Sequence, residues 1–216
     1  MSSELLERLQ SAWPDLEPGI YDKSARFHAI LSEENQKQNL TRLISPQDFV
    51  EGHVLDVKEL LKSQFVDYPA MDLGSGCGVP GILAAIVGGQ AWVLAESERH
   101  KAEFLFRAVR ELGLTNVRVV ADRGENFLAE NTVQSIVARA VGPVERIYGW
   151  LQGCSTWNNL VLLKGPAWGS EWESFGLSRF RGALRVDGQH DYQVVTENKQ
   201  RILAKLKRVP RGTSAA

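Results

Sequence analysis

The residues best suited to chemistry are Asp72-Leu73-Gly74-Ser75-Gly76-Cys77-Gly78-Val79-Pro80-Gly81. Clustered glycines let a backbone turn sharply and let a ligand approach where no Cβ stands in the way. Glu96 follows 22 residues after Gly74. A carboxylate at that distance can accept hydrogen bonds from both hydroxyls of a ribose. Two cofactor classes use such a loop. Gly76, Gly78 and Gly81 satisfy the dinucleotide spacing G-x-G-x-x-G. Asp72, Gly74, Gly76 and Gly78 equally satisfy D-x-G-x-G-x-G, which holds the methionine end of S-adenosyl-L-methionine (AdoMet). Asp72 favours AdoMet, because an acid ahead of the loop would face an ammonium group better than a phosphate. The chain is also short for the separate substrate domain common in dehydrogenases. A ligand-free strand–turn–helix junction is the bland alternative, and the glycine density with a distal acid argues against it.

Other residues belong to the same question. His53 and Asp56 stand at i, i+3, so they can share one helix face, either as a packing pair or toward a substrate. Arg123, Arg139 and Lys164 are expected at strand ends, at the carboxyl edge where ligands bind in such folds. Trp168 and Trp172 could stack on an unpaired base or simply pack in a core. Cys77 and Cys154 cannot by themselves make a disulfide framework or a zinc site, and neither sits in a nucleophile motif. No metal site is expected.

The elements that must position these residues follow from periodicity. The first 63 residues read as helical, with stripes at Leu5, Leu6 and Leu9 and at Phe27, Ile30 and Leu31. Ser45-Pro46-Gln47-Asp48 marks a helix start, and Val50, Val54, Val57 and Leu61 line one face of the helix that follows. From residue 64 the pattern alternates strand and helix. Strands are expected at Ala70–Leu73, Trp92–Ala95, Val117–Val120, Ile136–Ala138 and Leu160–Leu163, with a closing hairpin of Tyr192–Val195 and Ile202–Leu206. Pro80 and Pro143 open helices, Gly113 closes one, and the last helix carries Trp172 and Phe175. The expected architecture is α/β, a doubly wound Rossmann-like sheet of the class I AdoMet methyltransferase type over residues 64–216, with a helical N-terminal cap over residues 1–63.

Composition sets outer limits. The 216 residues are 44% apolar and 24% charged, enough for one buried core and too few for two full enzymatic domains. No apolar run approaches the ~20 residues that span a bilayer, and the N-terminus lacks a basic, then apolar, leader pattern. A cytoplasmic protein with no membrane partner is expected. Net charge is −1 but unevenly placed. Residues 1–60 hold 6 Lys/Arg against 11 Asp/Glu, while Lys199–Arg211 holds six basic residues and no acid. Segregated positive charge permits contact with phosphate; solvated faces are the plain alternative.

Motifs along nearly the whole chain resemble the RsmG, or GidB, family of small-subunit ribosomal RNA guanine-N7 methyltransferases. They are Asn39-Leu40-Thr41, His53-x-Leu55-Asp56, the glycine loop with Pro80-Gly81, Ser97, Phe104-Leu105, Glu111 to Val117, Arg123 with Glu125, Arg139-Ala140 and Lys164-Gly165. The resemblance implies AdoMet as methyl donor and N7 of a guanine in the 530 loop of 16S rRNA as acceptor. The partner would be 16S rRNA or the small ribosomal subunit, with no DNA expected. It implies cofactor contacts at Gly74, Val79, Gly124, Glu125 and Arg139, with Glu96 where the family more usually has Asp. Gly76 joins them from the loop, and substrate contacts at His53, Arg123, Arg139 and Lys164 are expected from their places on a helix face and at strand ends. Departures are Gly52 where Arg is common, His100-Lys101 for Lys-Arg, and Pro166 for Gln; these bear on RNA contact. Guanine N7 carries an in-plane lone pair, so no general base is required and no catalytic residue is assigned. An NAD-dependent oxidoreductase and a non-catalytic nucleotide-binding module are the alternatives from other classes.

Overall fold

A computed structural model describes residues 3–194 and 199–209. The N-terminal segment folds as α1 (Ser3–Ala12), α2 (Pro18–Gln38), α3 (Pro46–Phe49), a π-helical turn (Val50–Val54) and α4 (Leu55–Lys62). Ser45 caps α3 as its sequence predicts: the Asp48 N–H donates to Ser45 Oγ at 3.1 Å, and Pro46 fills the first turn. The single helix expected after Pro46 is instead α3 and α4 joined by the π turn. Such a turn inserts a residue into the helical register and often marks a functional position. Val50, Val54 and Val57 are still buried.

Strand and helix then alternate: β1 (Ala70–Leu73), α5 (Gly81–Gly88), β2 (Trp92–Ala95), α6 (Arg99–Glu111), β3 (Val117–Val120), α7 (Gly124–Glu130), β4 (Ser135–Arg139), α8 (Val144–Leu151), β5 (Asn159–Lys164), α9 (Trp168–Leu177), β6 (Leu184–Val194) and β7 (Lys199–Arg208). The sheet order is β3-β2-β1-β4-β5-β7-β6. The first five strands pair in parallel and β7 runs antiparallel to both neighbours. The order reverses between β1 and β4, which opens a crevice at their carboxyl ends. The closing hairpin is longer than expected. β6 begins at Leu184 because an outer strand with alternating exposed residues and a bulge at Val186/Gly188 reads as loop. Val195, the expected end of that strand, lies outside the described residues, as does Arg211.

Alternation along the strands divides the core in two. Trp92 and Leu94 face one cluster with Phe27, Leu31, Phe49 and Leu105. Val93 and Ala95 face the other with Leu128, Ile147 and Phe175. Helices α1–α4 therefore share a core with α5 and α6 rather than forming a separate lobe.

Candidate active site

The glycine loop leaves β1 at the crevice between β1 and β4. Gly74, Gly76 and Gly78 have φ of 69°, 51° and 83°, the left-handed region where a Cβ is costly. A Cβ on Gly76 would meet only Gly74 O, at 3.8 Å, so that position faces open space. A Cβ on Gly81 would lie 2.3 Å from Leu94 Cδ2, so that glycine serves the packing of α5 against β2. Val79 is buried to 4% exposure, and a ligand would meet its backbone, not its side chain.

Two carboxylates hold the loop. Asp72 is buried and accepts the Gly81 N–H at 2.9 Å. It therefore faces the start of α5, not a ligand ammonium as its sequence position suggests. Burial lifts its carboxyl to about 7, with the Gly81 hydrogen bond opposing. Glu96 follows β2 and accepts the Gly76 N–H at 2.9 Å and the Glu98 N–H at 2.8 Å. One oxygen thus braces the loop and the other braces the chain entering α6.

Beside the loop lies a cleft of about 120 Å³, with Gly74, Arg123, Gly124, Glu125, Val141 and Trp150 in its wall. Arg123 is not at the end of β3 but is the residue preceding α7, with its side chain 61% exposed and 3.7 Å from Glu125. Gly124 fits because a Cβ there would lie 2.4 Å from Leu73 Cδ1. Trp150 was not apparent from sequence. On α8 it reads as one more apolar residue beside Ile147 and Leu151, and only the fold turns it to the cleft.

On the other side of β4 is a second cavity of about 310 Å³, lined by Asp56, Arg139, Ala140, Lys164, Tyr192 and Arg201. Ala140 has a φ of 58°, left-handed for a residue that is not glycine. It faces this cavity while Val141 faces the cleft, so residues 139–141 form the partition between the two.

Arg139 is tightly held. Its Nε donates to Asp56 Oδ2 at 2.8 Å, Nη1 to His53 Nδ1 at 2.9 Å and Nη2 to the Gly52 carbonyl at 2.7 Å. Tyr192 Oη donates to Asp56 Oδ1 at 2.7 Å, and Arg201 Nη1 pairs with the same oxygen. Burial pushes the His53 imidazole well below its ordinary range, with Arg139 and Arg201 adding to the effect. Since Arg139 can only donate, neutral His53 accepts at Nδ1 and carries its hydrogen on Nε2, toward Thr41 Oγ1 at 3.3 Å. The π turn delivers both the Gly52 carbonyl and His53 to this network. Of the expected site residues, His53, Asp56 and Arg139 are thus brought together.

Lys164 differs from expectation. Its Nζ donates to the Gly142 carbonyl at 2.8 Å and to Glu171 Oε1 at 2.7 Å, and its side chain is 11% exposed. Glu171 Oε1 also accepts the Val144 N–H, so the pair ties α8 to α9. A phosphate would have to compete with that arrangement. Trp168 is buried and packs on Trp172, which is partly buried and stacks on Phe175, in the second core cluster.

Comparison with known proteins gives the family. A sequence model of the GidB family, rRNA small subunit methyltransferase G, matches residues 20–201. The chain belongs to the rRNA small subunit methyltransferase G family. Curated relatives named ribosomal RNA small subunit methyltransferase G include one from Solibacter usitatus, 35% identical over 74% of this chain and 79% of that protein. Another, from Dichelobacter nodosus, is 35% identical over 75% of this chain and 78% of that protein. Among solved structures, a putative RNA methyltransferase from Pyrococcus horikoshii shares the fold with a TM-score of 0.55 at 15% identity, covering 87% of this chain and 99% of that one. The METTL16 methyltransferase domain does so with a TM-score of 0.56 at 17% identity, covering 92% and 90%. As a member of this family the protein is an rRNA methyltransferase with AdoMet as its methyl donor.

Proposed function

We propose that this protein transfers a methyl group to N7 of a guanine in the 530 loop of 16S rRNA, in the cytoplasm, on naked RNA or on the small subunit. The observation that carries the reading is the pair of cavities on either side of the end of β4, one beside the glycine loop and one lined by Asp56, Arg139 and Lys164, with Val141 in the wall of the first and Ala140 in the wall of the second. One suits a donor and the other an acceptor base.

The residues present fit AdoMet. The loop offers an open, Cβ-free face at Gly76, and carboxylates at Glu96 and Glu125 suit a cationic ligand better than a pyrophosphate. Gly74, Gly76 and the Val79 backbone would hold its methionine end, and Glu96, Gly124 and Glu125 its adenosine. AdoMet supplies a methyl group on a positively charged sulfur. The cleft is smaller than the ~300–1,000 Å³ usual for such ligands, so part of the ligand would lie over the loop.

The work of the chain is then alignment and exclusion of water. Guanine N7 needs no deprotonation, which agrees with a second cavity in which the carboxylate of Asp56 is already engaged by two arginines and a tyrosine. Arg139, at the partition, faces the acceptor cavity and is held there by Asp56, His53 and the Gly52 carbonyl. His53 stands behind it and fixes its orientation, and Lys164 sets the far wall. Residues 1–63 complete the acceptor side through Asp56, and residues 64–216 carry the donor side.

The test is transfer of labelled methyl from AdoMet to purified small subunits and to naked 16S rRNA, with the product mapped by chemical cleavage at N7-methylguanine. Label at that position in either substrate supports the reading. Label on an exocyclic amine, or none in either, contradicts it.

A further inference from the structure

An anionic polymer must be met by cations that are not already neutralised within the protein. Arg139, Arg201 and Lys164 are all engaged by internal carboxylates, and Lys205 and Lys207 face Asp67 and Asp187. Beyond the cleft, α8 and the turn after α9 enclose a groove of about 460 Å³, lined by Glu145, Arg146, Gly149, Trp150, Arg179 and Phe180. Trp150 lines both this groove and the cofactor cleft, so the two adjoin. Arg146 and Arg179 are exposed, and among the described residues neither has a carboxylate partner.

The floor is rigid. Phe180 is buried and packs edge-on against Tyr148 at 5.2 Å. Arg179 lies over the Phe180 ring at 4.7 Å, which holds a flexible cation in place while its outer face meets solvent. Free cations interleaved with aromatic surface suit a single nucleic-acid strand, whose phosphates and bases they can engage together. Glu145 is the one acid in the wall.

We propose that this groove seats the RNA strand flanking the target nucleotide, with Arg146 and Arg179 meeting its phosphates and Trp150 dividing it from the cofactor. The inference rests on the rRNA-methyltransferase reading but names a surface that reading does not require.

The test measures affinity for small-subunit rRNA across a salt series, beside AdoMet calorimetry, for the wild type, the Arg146→Ala/Arg179→Ala double variant and Glu145→Gln. The double variant should bind RNA about 10-fold more weakly, with a salt slope lower by about two, and bind AdoMet normally. Glu145→Gln should bind RNA more tightly. Wild-type RNA affinity and slope in the double variant would overturn the groove as an RNA path, and so would a parallel loss of AdoMet binding. A wild-type protein that binds and methylates no rRNA would instead overturn the functional reading itself.

Discussion

Glu96 shows how much one side chain can carry. Its two oxygens already brace the Gly76 and Glu98 N–H groups, so removing it should loosen the loop as well as remove any ribose contact. Glu96→Ala should cost about 1.5–3 kcal/mol of AdoMet binding, read as a higher Kd at fixed salt. Gly76→Val should abolish measurable AdoMet binding, because its Cβ points into the open space a ligand would use and because the left-handed backbone there strains a β-branched residue. Calorimetry beside circular dichroism checks both. Asp72 gives a pH signature. Its carboxyl is raised to about 7 in the folded state. The folded state therefore holds a proton that the unfolded state lacks between about pH 4 and 7, and this group's contribution to stability falls as pH rises through that window. Asp72→Asn keeps an acceptor for Gly81 and cannot ionise. The Tm of Asp72→Asn relative to wild type should climb as pH rises from about 5 to about 8, and a pH-independent gap would contradict the assignment. The loop itself was legible because left-handed turns demand glycine locally. The partners of Arg139 were not, since Gly52, His53 and Asp56 lie more than eighty residues away and only the fold joins them.

Between elements, the Arg139–Asp56–His53 network fastens the N-terminal helices to the end of β4. Asp56→Ala would remove a buried carboxylate from the partly buried Arg139 and Arg201. It should destabilise the protein by about 3–5 kcal/mol, the range for breaking a buried pair from one side, as denaturant unfolding would measure. Removing residues 1–63 should go further and yield an insoluble chain, because Phe27, Leu31 and Phe49 complete the core that α5 and α6 share. A soluble, AdoMet-binding fragment of residues 64–216 would contradict that. Local signals located most elements: Ser45 as a cap, Pro143 ahead of α8, Gly113 after α6. They failed at the π turn, which is a register change with no composition of its own. They failed again at β6, whose polar outer face carries no strand-like run of apolar residues.

Across the whole molecule, charge is the feature that sequence describes least well. A net charge of −1 conceals which cations are paired: Lys164 meets Glu171, whereas Arg146 and Arg179 at the α8 groove have no carboxylate partner among the described residues. A doubly wound, mostly parallel sheet, by contrast, was implied once strands and helices alternated, and its observed order puts donor and acceptor cavities on either side of β4. The central claim is that this two-cavity crevice methylates N7 of a single guanine in small-subunit rRNA. Mass spectrometry of 16S rRNA from cells with and without the protein tests it most directly. One 530-loop guanine should carry an extra methyl group on N7 only when the protein is present. Identical methylation of that loop in both samples, or a protein-dependent methyl on another atom, would contradict the account.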